Sequence, residues 1–192
     1  DTEWNLHCTA HTYDPSIIRC LVKTKSLDFP LYKELNAKSN FMIPFKDITL
    51  ADKDTITSFT MKSDRRNCDL SFSNLCSWRF LYDTQFAVVD NFLVFKFWAG
   101  EQLAYMMPVG TGDLKAVLWE LIEDARKENQ HFCMLGVCSN MRTDLEAILP
   151  EQFTFTEDRD YADYIYLRSD LATLKGKKFQ AKRNHINRFR NT

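Results

Sequence analysis

The spacing of hydrophobic residues predicts four helices before the final segment of this chain. Six apolar side chains between Leu114 and Ala125 recur at helical intervals and predict an amphipathic helix over 112–129. Two weaker patterns predict helices over 50–63 and 71–80, the first started by a Thr49 cap with Asp52 three residues later. A fourth, short helix begins at Thr143 and is ended by Pro150.

Between the helices the pattern changes to that of β-strands. Phe86–Val89 and Phe92–Trp98 flank Asp90–Asn91, two residues that tolerate positive φ, and this arrangement predicts a tight hairpin. Further strands are predicted after Met42 and over 102–107, 131–137, 153–156 and 164–168. The resulting order is strand, two helices, three strands, helix, strand, helix and two strands. It predicts an α+β domain with a mixed, mostly antiparallel sheet flanked by helices.

Residues 1–41 show little periodicity, apart from a short apolar segment at Ile17–Val22 between the breakers Pro15 and Pro30. Met42 then opens a strand-like segment, so it is interpreted as the natural first residue or a domain boundary. The sequence thus predicts three parts, an N-terminal extension over 1–41, a domain over 42–170 and a connector over 171–192.

Composition narrows the class of protein. Hydrophobic residues make up 45% of the 192-residue chain, and fifteen are Phe, which is enough to build a core and argues against global disorder. The chain has no uninterrupted apolar stretch of transmembrane length, and its first residues lack the pattern of a signal peptide.

The six cysteines are interpreted as reduced, buried thiols. A zinc site built from His7, Cys8, His11 and Cys20 is disfavoured, because their spacing matches no standard ligand pattern. Cys133 and Cys138 likewise lack the Cys-x-x-Cys redox spacing.

Charge is distributed unevenly along the chain. The last 22 residues carry seven Lys or Arg and no acid, so the other 170 residues hold 18 basic and 26 acidic side chains. Helical spacing lets Phe179, Ile186 and Phe189 share a buried stripe, while cations project from the other side. The segment is therefore either a solvated helix lying against the acidic body or a helix that offers its cations to an anionic partner.

The predicted order of elements over 42–168 resembles the acyl-CoA N-acyltransferase (GNAT) fold, in which the sheet splays open between its fourth and fifth strands. Three segments, 71–78, 163–166 and 174–189, resemble the phosphatidylglycerol lysyltransferase C-terminal domain family, and the last of them, Leu-Lys-Gly-Lys-Lys-Phe-Gln-Ala-Lys-Arg-Asn-His-Ile-Asn-Arg-Phe, is the most specific. That family is usually built as two such units in tandem, joined by this basic helix.

The resemblance implies that the chain is the first unit with its connector, while the transfer chemistry is expected in a second GNAT-like domain in cis. Related proteins move an amino acid from aminoacyl-tRNA to a lipid headgroup or add residues to peptidoglycan precursors. Aminoacyl-tRNA or acyl-CoA is accordingly the expected donor of the full-length protein. A cytoplasmic location is expected, with the inner membrane surface as the alternative.

Two sets of candidate binding residues follow. On the connector, the cations Lys177, Lys178, Lys182, Arg183 and Arg188 are expected to donate to a phosphate-bearing substrate, which is a tRNA, an anionic lipid headgroup or a nucleotide-linked precursor. Asn184 adds a side-chain hydrogen bond.

Gly110 and Gly112 occupy the turn that cradles the donor pyrophosphate in the GNAT fold. Against a donor site, Met107 replaces the usual Gln or Arg, and Asp113 is more simply a helix cap.

No catalytic residue is assigned in this unit. Glu101 and Tyr105 are placed where a base could act, although nothing in the sequence indicates a shifted pKa. The aromatic residues from Trp78 to Trp98 are interpreted as core. Two other interpretations stay open: an interaction module that pairs its acidic body and basic arm with another subunit or copy, and a fold retained for an unrelated function.

Overall fold

A mostly antiparallel sheet is the centre of the larger of two compact units in the computed structural model, which describes residues 19–25, 42–63, 65, 67–158 and 166–191. The larger unit comprises residues 14–163, and the smaller one comprises 1–13 with 164–192. The described strands of the larger unit are β1 Arg19–Thr24, β2 Lys46–Asp47, β3 Gln85–Val89, β4 Phe92–Ala99, β5 Gln102–Tyr105, β6 Val109–Gly110, β7 Cys133–Val137 and β8 Phe153–Asp158.

The strands lie in the order β2-β3-β4-β5-β7-β1-β8, with β6 paired to β4. Each recorded pairing is antiparallel except that of β5 with β7, which is parallel and is registered only at Tyr105 and Met134. The α+β class and the mixed, mostly antiparallel sheet are confirmed, and the fewest registered residue pairs lie between β5 and β7.

The predicted hairpin is present. Asp90 and Asn91 have φ of 44° and 66°, and β3 pairs with β4 from Val89 and Phe92 outward to Gln85 and Lys96. Two consecutive left-handed residues match the right-handed twist of the flanking strands, which is why Asp and Asn occupy the turn.

The four predicted helices of this unit are also present: α1 Lys53–Thr60, α2 Phe72–Tyr82, α3 Leu114–Lys127 and α4 Ser139–Ile148. A 3-10 turn at Leu50–Asp52 precedes α1, and another at Cys68–Leu70 precedes α2. The apolar stripe of α3, from Val117 to Ala125, is buried as its spacing predicts. α4 begins four residues before the predicted start, so the cap predicted at Thr143 lies inside the helix.

Two apolar clusters make up the core. One joins the stripe of α3 and two residues of α4, Met141 and Leu145, to side chains of the sheet such as Val94 and Leu103. The other joins Ile56 of α1 and two residues of α2 to a different set of sheet residues. Neighbouring strand residues such as Val94 and Phe95 fall in different clusters, because successive side chains of a strand point to opposite faces.

β1 is not predicted by the periodicity of the sequence. Arg19–Thr24 falls in the expected N-terminal extension, but it is an interior strand between β7 and β8, and Val22 is fully buried. A six-residue strand inside a segment without periodicity gives little local signal, because its partners are more than a hundred residues away. The strand predicted after Met42 is limited to β2.

The described part of the smaller unit contains α5 Arg168–Thr173, a 3-10 turn at Lys177–Phe179 and α6 Gln180–Arg190. Of the strand predicted over 164–168, residues 164 and 165 lie outside the described residues, and Arg168 instead begins a helix. The predicted buried stripe holds only at Phe179, since Ile186 is 40% exposed and Phe189 is 83% exposed.

Candidate functional site

A cleft opens where β5 and β7 part. Beyond the single parallel pair at Tyr105 and Met134, the chain leaves β5 at Met106 and continues as β6, which pairs with the start of β4. A cavity of about 290 Å³ lies at this point, bounded by Met106 on one side and by Leu135 and Gly136 of β7 on the other. The parting of the strands thus makes room for a small ligand.

Aromatic side chains of α2 form one wall of this cavity. Trp78 and Tyr82 line it, their ring centroids 6.2 Å apart, and they are 49% and 38% exposed. Phe80 on the same helix is also exposed, so the interpretation of these three residues as core was wrong. α2 is apolar around most of its circumference, and a helix that packs on one face of a sheet cannot bury all of it.

The polar rim of the cavity is built by the turn before α2. The Asn67 side chain accepts a hydrogen bond from the Asp69 backbone N–H at 2.9 Å and so caps this turn. The Asn74 amide donates to the Asp69 carboxylate at 3.2 Å. These contacts orient a carboxylate beside an aromatic wall, an arrangement suited to a small organic group that carries an N–H or O–H donor or a positive charge.

The two acid–base candidates do not line this cavity. Tyr105 is fully buried and donates from Oη to Asp124 Oδ2 at 2.7 Å, and Lys96 Nζ lies 3.2 Å from the same carboxylate oxygen. Burial, together with the charges of Asp124 and Glu128, raises the pKa of Tyr105, so its phenol stays neutral and cannot serve as a base. Glu101 is exposed in the turn between β4 and β5.

Gly110 and Gly112 lie against the β3–β4 hairpin. A Cβ on Gly110 would come within 2.2 Å of the Asn91 carbonyl oxygen, and one on Gly112, whose φ is +145°, would come within 3.2 Å of the Phe92 ring. The Asp113 carboxylate accepts from the Ala116 backbone N–H at 3.1 Å and caps α3. Close packing therefore accounts for both glycines, and a donor-binding role for them stays a prediction.

Within the smaller unit, Arg183 and Lys178 form hydrogen bonds or ion pairs with residues of the same unit. Arg183 donates to the carbonyl oxygens of Leu174 and Gly176 and to the Gln180 side chain, the Gly176 distance being 2.8 Å. These bonds tie α6 to the turn that precedes it. Lys178 forms an ion pair with Asp170 at 3.0 Å.

Among the other predicted connector residues, two contact neighbouring side chains and two are exposed. Lys182 is half-buried, and its ammonium lies 4.8 Å from the centre of the Tyr166 ring. Asn184 accepts from Gln180 at 2.9 Å, while Lys177 and Arg188 are exposed. The segment thus presents a mixed surface, in which some cations hold the fold together and others face solvent.

Several sequence-based interpretations concern residues that the structure describes only in part. Of the zinc candidates, His7, Cys8 and His11 lie outside the described residues, and of Cys20 only the backbone is described. Among the cysteines with described side chains, Cys76 and Cys133 are buried free thiols, whereas Cys68 is exposed, contrary to its interpretation as buried. No helix within the described ranges has both the length and the apolar character needed to cross a membrane.

Comparisons with known proteins place this geometry in context. A crystal structure titled as a conserved protein of unknown function from Bacteroides thetaiotaomicron is 90% identical in sequence, with a TM-score of 0.69 over 78% of the present chain. The chain covers 51% of that protein, so it spans about half the length of the structure it matches. None of the curated proteins matches. The sequence profile described as "Phosphatidylglycerol lysyltransferase, C-terminal" matches residues 60–192.

Proposed function

Because this chain belongs to the phosphatidylglycerol lysyltransferase C-terminal family, we propose that it is the first unit of a tandem aminoacyl- or acyltransferase and that it positions substrate. The transfer itself is assigned to a second GNAT-like domain in cis. The similar crystal structure supports this assignment, because it is about twice as long as the part the chain covers.

One observation carries the positioning role: the cavity between the parted strands combines an aromatic wall with a carboxylate that its neighbours hold in place. Its carboxylate, Asp69, accepts from the neighbouring Asn74 amide, and the buried phenol of Tyr105 lies elsewhere. A cavity of this kind can hold and orient a group without removing its proton.

The connector supplies the phosphate contact in this proposal. Lys177 and Arg188 are its leading candidates, because both side chains are exposed. Lys182 and Asn184 lie between them in the sequence, on α6. The substrate class is a phosphate-bearing molecule such as a tRNA, an anionic lipid headgroup or a nucleotide-linked precursor, since cations in this number favour polyanions.

A salt titration with the full-length protein tests this role. Lys177→Ala with Arg188→Ala is expected to weaken tRNA binding and to lower the slope of log affinity against log salt by about 2, one for each lost phosphate contact. Lys53→Ala with Lys115→Ala removes two exposed cations of the larger unit as a control. Unchanged affinity and slope in the connector variant, for tRNA and for phosphatidylglycerol vesicles alike, would reject the proposal.

A non-enzymatic interaction module is the second candidate. It is favoured by the outer face of α2, where Phe80 and Leu81 are 76% and 65% exposed. Such a face suits a protein partner more than a phosphate. In that case Phe80→Ser with Leu81→Ser would abolish self-association measured by light scattering, and binding would depend little on salt. A monomeric wild-type protein at high concentration would argue against pairing with a second copy.

A further inference from the structure

Strand β1 lies out of chain order in the sheet. It is the first described strand of the chain, yet it lies between β7 and β8 and not beside β2, which follows it. β7 and β8 both run antiparallel to β1, so they are parallel to each other and separated by one strand. Because neighbouring strands lie about 4.8 Å apart, β7 and β8 bound a slot about 9.6 Å wide, here called the β7–β8 slot, which β1 fills.

Backbone pairing and a buried side chain hold β1 in the β7–β8 slot. β1 pairs with every residue of β8, and beyond its end the Lys25 backbone N–H donates to the Gln152 carbonyl oxygen at 3.0 Å. Val22 at its centre is fully buried, in the core cluster that also contains Met134 of β7 and Phe153 of β8. Sheets take up an extended peptide in the same way: main-chain hydrogen bonds supply affinity, and pockets for alternate side chains supply specificity.

The link between β1 and the next strand is long. Residues 25–45 connect Thr24, at the end of β1, to Lys46, at the start of β2. These two ends are five strand positions apart in the sheet, which is about 24 Å at the usual spacing. A link of this length reaches about 70 Å when fully extended. It can therefore reach the β7–β8 slot of its own copy and that of a neighbouring copy alike.

We propose that the β7–β8 slot also accepts β1 from a second copy of this chain, so that two copies pair by exchanging this strand. A second copy carries the identical strand, so each contact of β1 with β7 and β8 can be made between chains. The pairing with β7 includes an irregularity between Cys20 and Val22, which an unrelated strand would have to match. Exchange competes with the tethered strand when the protein concentration approaches the effective concentration of the tether, on the order of millimolar.

Exchange places a strand of the partner copy next to the cleft between β5 and β7. Leu135 and Gly136 of β7 line that cavity, and β1 pairs with β7 on either side of them, at Met134 and Val137. In the exchanged pair, each cleft is thus supported by a strand of the other copy. The inference does not rest on the transferase role, because it uses only the sheet of the larger unit.

A full chain with a shortened link provides the first test. Deleting residues 26–42 leaves residues 25 and 43–45 as the link, which reaches about 17 Å, less than the distance of about 24 Å that it must cross. This chain can fill its slot only with β1 of another copy, so size-exclusion chromatography with light scattering should find a dimer. In the matched control a Gly/Ser segment of equal length replaces residues 26–42. It loses the same side chains but keeps the reach, so a monomer is expected.

Joint refolding of the unmodified chain tests exchange even if both variants fail to fold. Two differently tagged copies are unfolded together, refolded at about 1 mM under reducing conditions and analysed by native mass spectrometry. Mixed dimers are expected after joint refolding and not after brief mixing of the folded proteins, because β1 must leave its slot before it can exchange. Phe80→Ser with Leu81→Ser, at exposed positions of α2, must leave these dimers unchanged.

Three outcomes would overturn the proposal. The first is a shortened chain that unfolds cooperatively as a monomer, or that dimerises no more than its equal-length control. The second is the absence of mixed dimers after joint refolding. The third is loss of the mixed dimers in the Phe80→Ser, Leu81→Ser variant, which would assign the association to the outer face of α2 and not to β1.

Discussion

Asp52 stabilises the start of α1 through its ionised carboxylate. Lys46 Nζ donates to it at 2.6 Å, and the Thr49 hydroxyl and backbone N–H donate at 2.7 and 2.9 Å. The hydrogen bonds from Lys46 and Thr49 lower the pKa of Asp52 to about 2 from its ordinary 3.8. A lowered pKa means that the stabilisation is complete above the ordinary value and is lost as pH falls toward 2.

Asp52→Asn is therefore expected to lower the free energy of unfolding by about 1 kcal/mol at pH 7. The difference from the wild type should shrink between pH 4 and pH 2, because the wild-type carboxyl group becomes protonated there. Urea denaturation at several pH values measures both effects. A loss of stability that is the same at every pH would show that shape, and not charge, is what Asp52 contributes.

The pKa of Glu120 on α3 is shifted in the opposite direction to that of Asp52. Its Oε2 is buried without a hydrogen-bond partner in the part of the chain that the structure describes. Burial, and after it the charge of Asp90, raises the pKa of Glu120. A raised pKa means that the folded state binds the proton more tightly, so stability is lost as the pH rises above the ordinary carboxyl pKa and through the raised one.

Glu120→Gln should accordingly raise the unfolding temperature at pH 7, by less than about 3 °C because the side chain is only partly buried. At a pH below the ordinary carboxyl range the two proteins should unfold together, since the wild-type group is then neutral. Differential scanning calorimetry at two pH values is sufficient. A lower unfolding temperature for Glu120→Gln at pH 7 would mean that the carboxylate has a stabilising contact.

At the scale of elements, the contact between β6 and the β3–β4 hairpin explains why a glycine stands at position 110. A Cβ there would lie 2.2 Å from the Asn91 carbonyl oxygen and 2.8 Å from Phe92 Cα, and both are backbone atoms that cannot rotate away. Gly110→Ala should cost about 2 kcal/mol or more through forced displacement of the hairpin. Thermal unfolding followed by circular dichroism measures the loss.

Gly100→Ala is the matched comparison. Gly100 also lies in a turn, at φ +65°, but no atom would come within 4 Å of an added Cβ. Its cost should be limited to the strain of a left-handed residue, about 1 kcal/mol. If both variants lose the same stability, close packing is not the reason for the glycine at 110.

The same elements show which parts of the fold the sequence predicts. α3 and the β3–β4 hairpin follow from local signals, an apolar stripe and an Asp-Asn turn, and they form where predicted. β1 could not be predicted in this way, because its place in the sheet depends on β7 and β8. Local periodicity carries information about a strand's faces and none about distant partners.

The candidate sites also divide into features that local sequence patterns predict and features that depend on distant parts of the chain. Charge density identified the connector, but the use of Arg183 as an internal tie depends on carbonyl groups that no sequence pattern displays. The resemblance to the GNAT fold implied an opening between two strands of the sheet, but the place of Trp78 beside it was not predicted, because an aromatic residue in an apolar helix is typical of a core. The position of Lys62 and Arg65 beside a further cavity, at the end of α1, likewise could not be predicted, because β6 forms its other side.

At the scale of the whole molecule, β1 links two parts of the sheet that are otherwise not paired. It pairs with β7 on one side and with all six residues of β8 on the other, and Val22 in its centre is fully buried. Removing it would leave β7 and β8 with unpaired edges and open the core beneath them. Exposed edges of this kind favour aggregation over folding.

A fragment that begins at Met42, the domain boundary expected from the sequence, should therefore be insoluble or lose its cooperative unfolding transition. Val22→Asp in the full chain tests the same contact without truncation, and it should destabilise by more than about 3 kcal/mol because it buries an unpaired charge. Lys25→Asp, at an exposed position just after β1, is the matched control and should change stability little. Circular dichroism melts and solubility measurements decide the outcome. If the fragment from Met42 unfolds cooperatively at the wild-type temperature, β1 is an accessory strand and the larger unit is complete without it.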